Sequence, residues 1–188
     1  QLEDAEHGSF SSRLAHYLCE QAAAELARGD SDAAVQLLRQ AIGTAPTAPR
    51  ARIELARLQL QQKQAAEACA TLEDALQACP PATPLIAAPL AQAAIASGRT
   101  VSVLARLQAI YEQTPSLDVL EALVTLQAAA GSSSTSTRDW YAHHLEREPS
   151  LVAAAKWLAG EQLEHEQFHP QVQRALDHAV KPLTRYRC

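Results

Sequence analysis

The pattern of apolar and polar positions repeats after 34 residues between residues 15 and 80. Alanines and larger aliphatic residues occupy matching places in the two copies: Ala22 and Ala56, Ala34 and Ala68, Leu38 and Leu72, Ala41 and Ala75, Ile42 and Leu76. The alanines stand where two antiparallel helices would cross closely, and the leucines stand where side chains would be buried between helices. Each copy therefore predicts one pair of antiparallel helices.

Prolines mark the end of each predicted pair. A proline lacks an N–H group and clashes with the preceding helical turn, so it ends a helix. Pro46 and Pro80 close the two copies, and the series continues with Pro115, Pro149 and Pro182, at intervals of 34, 35, 34 and 33 residues. This regular spacing extends the repeat through the rest of the chain.

A 34-residue period with these alanines and a terminal proline is the signature of the tetratricopeptide repeat. The chain resembles that family, which implies an all-α solenoid of antiparallel helix hairpins in a right-handed superhelix, with about ten helices. The predicted units are 15–46, 49–80, 84–115 and 116–149. A remnant of an earlier repeat or a frayed end is expected at 1–14, a divergent hairpin at 150–180 and a tail at 181–188.

Some helix boundaries follow from capping residues, glycines and prolines. The first helix is predicted to begin after Ser11 or Ser12, either of which can cap it. Pro89 stands one turn inside a predicted helix, so a late start or a bend is expected there. In the fourth unit, residues 131–136 have a flexible composition and predict a loop, followed by a helix at about 137–147.

Composition narrows the possible functions. Apolar residues make up 47% of the chain but aromatic residues only 4%, as in closely packed helices rich in alanine and leucine. A formal charge of -5 argues against a general nucleic-acid binder, which needs a basic surface. The sequence contains no run of about 18 apolar residues, the length that a helix needs to span a membrane. Because the chain starts at Gln1 and has no methionine, we expect it to be a processed or excised piece.

Three of the four cysteines, Cys19, Cys69 and Cys79, fall in predicted helices and lack Cys-x-x-Cys spacing. We expect them to be free thiols that pack as small apolar side chains, in a reducing compartment. The fourth cysteine, Cys188, ends the chain.

Residues 165–169, His-Glu-Gln-Phe-His, match a zinc-protease pattern in which two histidines one helical turn apart bind the metal and the glutamate acts as general base. Pro170 follows the second histidine and biases it away from the α region, so the two imidazoles are not expected to share a helix face. We therefore favour a polar connection between two helices over a metalloprotease site.

Other polar clusters also lack a catalytic spacing. His143 and His144 stand beside Glu146 and Glu148 on a predicted helix, where we expect a solvated face. The sequence has no Gly-rich phosphate loop, and no Ser-His-Asp set is suggested by spacing. It predicts a protein that is not an enzyme.

The repeat itself indicates binding. In the tetratricopeptide family the first helices of the hairpins line a concave groove, and the resemblance selects as groove residues His16, Cys19, Arg50, Ile53, Arg57, Gln61, Leu85 and Gln92. Arg50 and Arg57 are two helical turns apart and share a face. They are either ordinary solvated arginines or two guanidinium groups that suit the carboxylates of a partner.

Residues 14–22, Leu-Ala-His-Tyr-Leu-Cys-Glu-Gln-Ala, together with the doubled repeat and the ending Arg-Tyr-Arg-Cys at 185–188, resemble the lipopolysaccharide assembly protein B family (LapB, also called YciM) of Gram-negative bacteria. The resemblance implies an N-terminal membrane helix absent here, a cytoplasmic repeat array and a rubredoxin-like domain with two Cys-x-x-Cys pairs. It makes Cys188 the first metal ligand of that truncated domain. One thiolate cannot form a four-ligand site, so no cofactor is expected in this fragment, whereas iron or zinc is expected in the full-length protein.

The same resemblance implies a function. LapB-like proteins are adaptors that bring the lipid A deacetylase LpxC to the membrane protease FtsH for degradation, and so regulate lipopolysaccharide synthesis. Their implied location is the cytoplasmic face of the inner membrane, with other lipopolysaccharide assembly proteins as further partners. The alternative is a generic peptide-docking scaffold, such as a chaperone or a secretion accessory.

Overall fold

The computed structural model of the chain describes residues 2–131 and 134–159. Its α-helices are α1 (Leu2–Arg28), α2 (Ser31–Thr44), α3 (Pro49–Gln61), α4 (Ala65–Ala78), α5 (Thr83–Ala96), α6 (Thr100–Gln113), α7 (Leu117–Ala129), α8 (Ser134–Arg147) and α9 (Leu151–Ala159), with a 3-10 turn at Pro80–Ala82. These residues contain no β-strand. The all-α prediction is therefore confirmed. The chain divides into two compact units, residues 1–103 and 104–188.

In the first unit, α1 packs against α2 and α3 against α4, and neighbouring pairs stack through α2 and α3 and through α4 and α5. The repeated alanines lie at these crossings: Ala22, Ala34, Ala56 and Ala68 are all 0% exposed. Leu38 and Leu72, which match in the two copies, are equally buried. Small side chains let the helix backbones approach, and the leucines are buried beside them, so the helix pairs predicted here from the sequence are confirmed.

The close packing at the buried alanines predicts the effect of larger side chains on stability. We expect Ala34→Leu and Ala68→Leu each to lower the free energy of unfolding by about 1–3 kcal/mol, because a branched side chain must enter a closely packed contact. Ala70→Leu is the matched control, because Ala70 is exposed on α4. Urea unfolding followed by circular dichroism measures all three. If the buried substitutions cost no more than the control, the helices do not cross at these alanines.

The first helix of each pair in this unit ends in the same way. Gly29, Lys63 and Gly98 have positive φ angles of 87°, 62° and 72°. The amide of the following residue donates to a carbonyl five residues back, as in Gln64 to Gln59 at 2.8 Å. This is the Schellman ending, which favours glycine because it has no Cβ. Lys63 incurs the left-handed penalty, about 1–2 kcal/mol, and keeps the repeat geometry.

Three predictions about helix boundaries differ from the structure, wholly or in part. Helix α1 begins at Leu2, well before Ser11. The stretch contains no proline, and its single glycine, Gly8, costs a helix only about 1 kcal/mol. At Pro89 only the late start is contradicted, since helix α5 begins at Thr83, with Pro84 in its first turn and Pro89 inside it, and the alternative of a bend stays a prediction. Helix α8 begins at Ser134, inside the stretch 131–136 for which a loop is predicted.

In the second unit, α7 packs against α8 and α8 against α9. The predicted solvated face at His143 and His144 is only half right. His143 is exposed and lies 3.9 Å from Glu146, whereas His144 is 2% exposed. The His144 Nδ1 atom shares a hydrogen bond of 2.7 Å with the Tyr111 hydroxyl, which is itself fully buried. This polar partner makes the burial of the imidazole possible.

Several predictions fall outside the described residues: the His-Glu-x-x-His segment at 165–169, the end of the hairpin at 150–180, and Cys188. Among the helices described, none is long and apolar enough to cross a bilayer.

Candidate functional site

The exposed sides of α1, α3 and α5 form one surface of the first unit, which we call the groove face. Helix α3 contacts both α1 and α5. His16, Arg50 and Leu85 stand at matching places on the three helices, separated by 34 and 35 residues. The sequence repeat thus brings three different side chains, one imidazole, one guanidinium and one isobutyl group, to successive positions on one face.

The larger concavity on this face, the central depression, lies between α3 and α5. Its volume is about 340 Å³, and it is lined by Pro49, Arg50, Ile53, Glu54, Arg57 and Leu85. Leu85 borders this depression and is 66% exposed. Four of the eight predicted groove residues, Arg50, Ile53, Arg57 and Leu85, therefore meet at one place.

A smaller depression of about 180 Å³ lies between α1 and α3 and is lined by Ser12, Ala15, His16, Cys19, Ala48, Arg50 and Ala51. Cys19 lines this depression, as predicted for a groove residue, but its side chain is only 1% exposed. Burial is the main cause that raises the pKa of the Cys19 thiol, and the carboxylates of Glu54 and Glu20 raise it further against the opposing effect of Arg50. The thiol stays protonated at neutral pH and is a packing group.

Arg50 joins the two depressions through a cluster of ion pairs. Its Nε donates to Glu54 at 2.8 Å, and one terminal nitrogen donates to Glu20 at 2.7 Å. The other terminal nitrogen lies 2.7 Å from Nδ1 of His16. Because a guanidinium can only donate, Nδ1 accepts and the His16 proton resides on Nε2. The guanidinium is thus held by three side chains from α1 and α3.

The pKa values of two groups follow from this cluster. The hydrogen bond from Arg50 is the main cause that lowers the pKa of Glu20, and its positive charge acts in the same direction. The pKa of Arg50 is raised, first by the hydrogen bond to Glu54 and then by the hydrogen bond to Glu20. Glu20 and Arg50 are therefore both charged at neutral pH. Arg50 matches neither alternative from the sequence, because two carboxylates of the chain itself already pair with its guanidinium.

Arg57 presents a different environment. Its side chain is exposed at the edge of the central depression, and across residues 2–131 and 134–159 it has no ion pair or hydrogen bond. Both alternatives from the sequence, a solvated arginine or a group that binds a carboxylate of a partner, therefore stay open for Arg57. Gln61 and Gln92 are also exposed, on α3 and α5, but they line neither depression.

Glu20 and Glu54 are site residues that the sequence prediction missed. Two signals in the sequence indicate them. Glu54 stands four residues after Arg50, the spacing of a helical ion pair, and Glu20 matches Glu54 after 34 residues. The part of the chain that the structure describes contains no group of three His, Cys, Asp or Glu side chains placed to hold a metal ion.

Comparison with known proteins identifies the fold. Residues 25–88 match the sequence model of the tetratricopeptide repeat. A comparison with curated proteins finds no match. Among solved structures, the chain is similar to a tetratricopeptide repeat protein from Parabacteroides merdae, with a TM-score of 0.54, 16% identity, and coverage of 93% of this chain and 68% of that one.

Two other solved structures are similar. A thermophilic tetratricopeptide protein of Thermus thermophilus gives a TM-score of 0.51 at 17% identity, over 92% of this chain and 93% of that chain. The first tetratricopeptide domain of Spaghetti (RPAP3), bound to an HSP90 peptide, gives 0.51 at 17% identity, over 64% of this chain and 96% of that domain. At these identities the likeness shows the fold alone: an array of tetratricopeptide helix pairs.

Proposed function

We propose that the chain is a non-enzymatic protein-binding module whose docking surface is the groove face of α1, α3 and α5. The central depression carries this proposal. It combines an exposed leucine, Leu85, with an exposed arginine, Arg57, that has no ion-pair partner in the described part of the chain. Apolar side chains that stay exposed in a concavity, beside a polar group that fixes orientation, are typical of binding sites.

The helices that form the groove face are also closely packed on their buried sides. Ala51 and Ala56 of α3 and Ala87 of α5 are fully or almost fully buried, so the backbone that carries the exposed groove side chains rests on closely packed crossings. A preformed surface of this kind loses little conformational entropy when a partner binds, which favours recognition of an extended or helical segment.

In its specific form, we propose an adaptor that brings the lipid A deacetylase LpxC to the protease FtsH and so regulates lipopolysaccharide synthesis. What supports it is the resemblance of residues 14–22, the doubled repeat and the 185–188 ending to lipopolysaccharide assembly protein B. The adaptor would act at the cytoplasmic face of the bacterial inner membrane, and Cys188 would contribute one ligand to iron or zinc in a longer protein.

Co-elution in size-exclusion chromatography tests the adaptor. The chain is mixed with purified LpxC and with the purified cytosolic part of FtsH, separately and together. We expect a complex with each protein and a ternary complex when all three are mixed, because an adaptor must bind both at once. If neither LpxC nor FtsH shifts in elution with the chain, the adaptor role is contradicted.

A generic peptide-docking scaffold is the second candidate. The similar Spaghetti domain is bound to an HSP90 peptide, so this fold accommodates short peptide segments. Binding of peptides at the groove face, together with failure of LpxC and FtsH to bind, would favour this candidate over the adaptor.

A further inference from the structure

We infer that the groove face selects a partner segment with one bulky apolar side chain beside a single carboxylate, and that it disfavours segments with a run of acidic residues. The inference deepens the proposed docking function and rests on it. It concerns the chemistry of the partner at the central depression, which follows from the charges and the exposed area of the residues there.

The apolar part of the partner would lie between Ile53 and Leu85. Ile53 is half-buried on α3, and Leu85 is 66% exposed on α5. The volume of about 340 Å³ is near the lower end of the roughly 300–1,000 Å³ that small-ligand sites occupy. A depression of this size takes one or two side chains rather than a whole folded element. Covering Leu85 removes apolar surface from water, which favours binding.

The carboxylate of the partner would pair with Arg57. A guanidinium offers two parallel N–H donors that fit a carboxylate, and Arg57 is exposed with no such partner among the described residues. It borders the same depression as Leu85. An acidic residue next to the apolar side chain could therefore reach Arg57 while the apolar side chain fills the depression.

The other charged side chains at the groove limit how many acidic residues of a partner can bind there. Arg50 is bound by Glu20 and Glu54, and together with Arg57 these four groups carry two positive and two negative charges. A second carboxylate of the partner could reach Arg50 only by displacing Glu20 or Glu54, or by lying beside them. Both arrangements are unfavourable, because they leave a carboxylate unpaired or place like charges together. Glu20 and Glu54 thus act against acid-rich segments.

Selection of heptapeptides displayed on phage tests this inference on the full chain. Parallel selections use the unchanged chain, Arg57→Glu, Leu85→Asp and Arg39→Glu; Arg39 is exposed on α2 and controls for the change in charge. We expect the unchanged chain and Arg39→Glu to enrich the same peptides, with a leucine, isoleucine or phenylalanine adjacent to one acidic residue. We expect Arg57→Glu and Leu85→Asp to lose them.

Synthetic peptides then give the magnitude by fluorescence anisotropy. Changing the acidic residue of the best peptide to glutamine should weaken binding about tenfold, since a charge-assisted pair is lost. Adding two further glutamates should also weaken binding. Acid-rich peptides that bind more tightly and still depend on Arg57 and Leu85 would overturn the inference while keeping the groove as the docking surface. No enrichment, or peptides insensitive to both substitutions, would overturn both.

Discussion

Replacing Tyr111 with alanine is expected to lower the free energy of unfolding by about 3–5 kcal/mol. The Tyr111 side chain is fully buried, and its ring meets the Trp140 ring edge-on, with 5.7 Å between the ring centres. The guanidinium of Arg147 lies 5.8 Å from the ring centre, and the hydroxyl is hydrogen-bonded to His144. Alanine would leave a cavity, remove the aromatic contact and leave the buried imidazole without its partner.

Tyr111→Phe separates these contributions. The ring and its contact with Trp140 remain, and only the hydrogen bond to His144 is lost. We expect a cost of about 1–3 kcal/mol, which is the penalty of leaving a buried polar group unpaired. Urea unfolding followed by tryptophan fluorescence and by circular dichroism measures both variants. A cost for Tyr111→Ala no greater than that for Tyr111→Phe would contradict the packing described for this ring.

The buried pair of Tyr111 and His144 also makes the free energy of unfolding depend on pH. Burial is the main cause that lowers the pKa of His144, and Arg147 and His143 lower it further, while Glu148 opposes them. The folded protein therefore binds a proton at His144 less readily than the unfolded chain. The stabilisation that depends on a neutral His144 is fully present above the pKa of histidine in the unfolded chain, about 6.5. It is lost as the pH falls below that pKa. His144→Gln should remove the decline between about pH 7 and pH 5.

The protonation state of Tyr111 does not change over this pH range. Burial raises the pKa of Tyr111 to about 12, so its hydroxyl stays protonated throughout the experiment. Glu112 and Arg147 lie near the surface and pair with each other at 3.3 Å. A slope that persists unchanged in His144→Gln would show that another group causes the loss of stability.

The helix pairs could be predicted from the sequence because the repeat encodes them redundantly. Ala34 and Ala68 match in sequence and are equally buried, and the terminal prolines fix the register. The burial of His144 was also encoded. Counted back five residues from Pro149, it takes the place that Ala41 holds before Pro46, and Ala41 is fully buried. The polar residue type misleads at this position, because the hydrogen bond to Tyr111 lets an imidazole occupy a buried place in the repeat.

The candidate site was less predictable for a physical reason. The repeat register indicates which residues share a face, and Arg50, Ile53, Arg57 and Leu85 do meet at the central depression. It does not indicate which charged groups pair with each other, because pairing depends on distances between helices. Arg50 reaches Glu20 on a different helix at 2.7 Å, whereas Arg57, two turns further on, does not.

Reversing the charge of both groove arginines, Arg50→Glu with Arg57→Glu, is expected to abolish partner binding, with a loss of affinity of about 100-fold or more. Arg57→Glu would repel the acidic residue of the partner directly. Arg50→Glu would act differently, because it would place a third carboxylate beside Glu20 and Glu54 and loosen the contact between α1 and α3.

Two single variants separate recognition from folding. Arg57→Glu alone should reduce affinity for LpxC or FtsH while leaving the circular dichroism spectrum and the unfolding midpoint unchanged. Arg39→Glu, with the same change of charge on α2, should change neither affinity nor midpoint. If the double variant binds LpxC and FtsH with native affinity, the groove arginines take no part in recognition.

Site-specific photo-crosslinking tests most directly whether the groove face is the docking surface. A benzophenone amino acid is placed at Gln61 or Gln92, which are exposed on α3 and α5, or at the exposed Ala70 on α4 as the control. Each chain is irradiated with purified LpxC and the cytosolic part of FtsH, and adducts are identified by mass spectrometry. We expect adducts at 61 and 92 in at least about tenfold excess over 70, and their loss in Arg57→Glu chains. Equal yields at all three positions, or adducts at 70 alone, would contradict docking at the groove face.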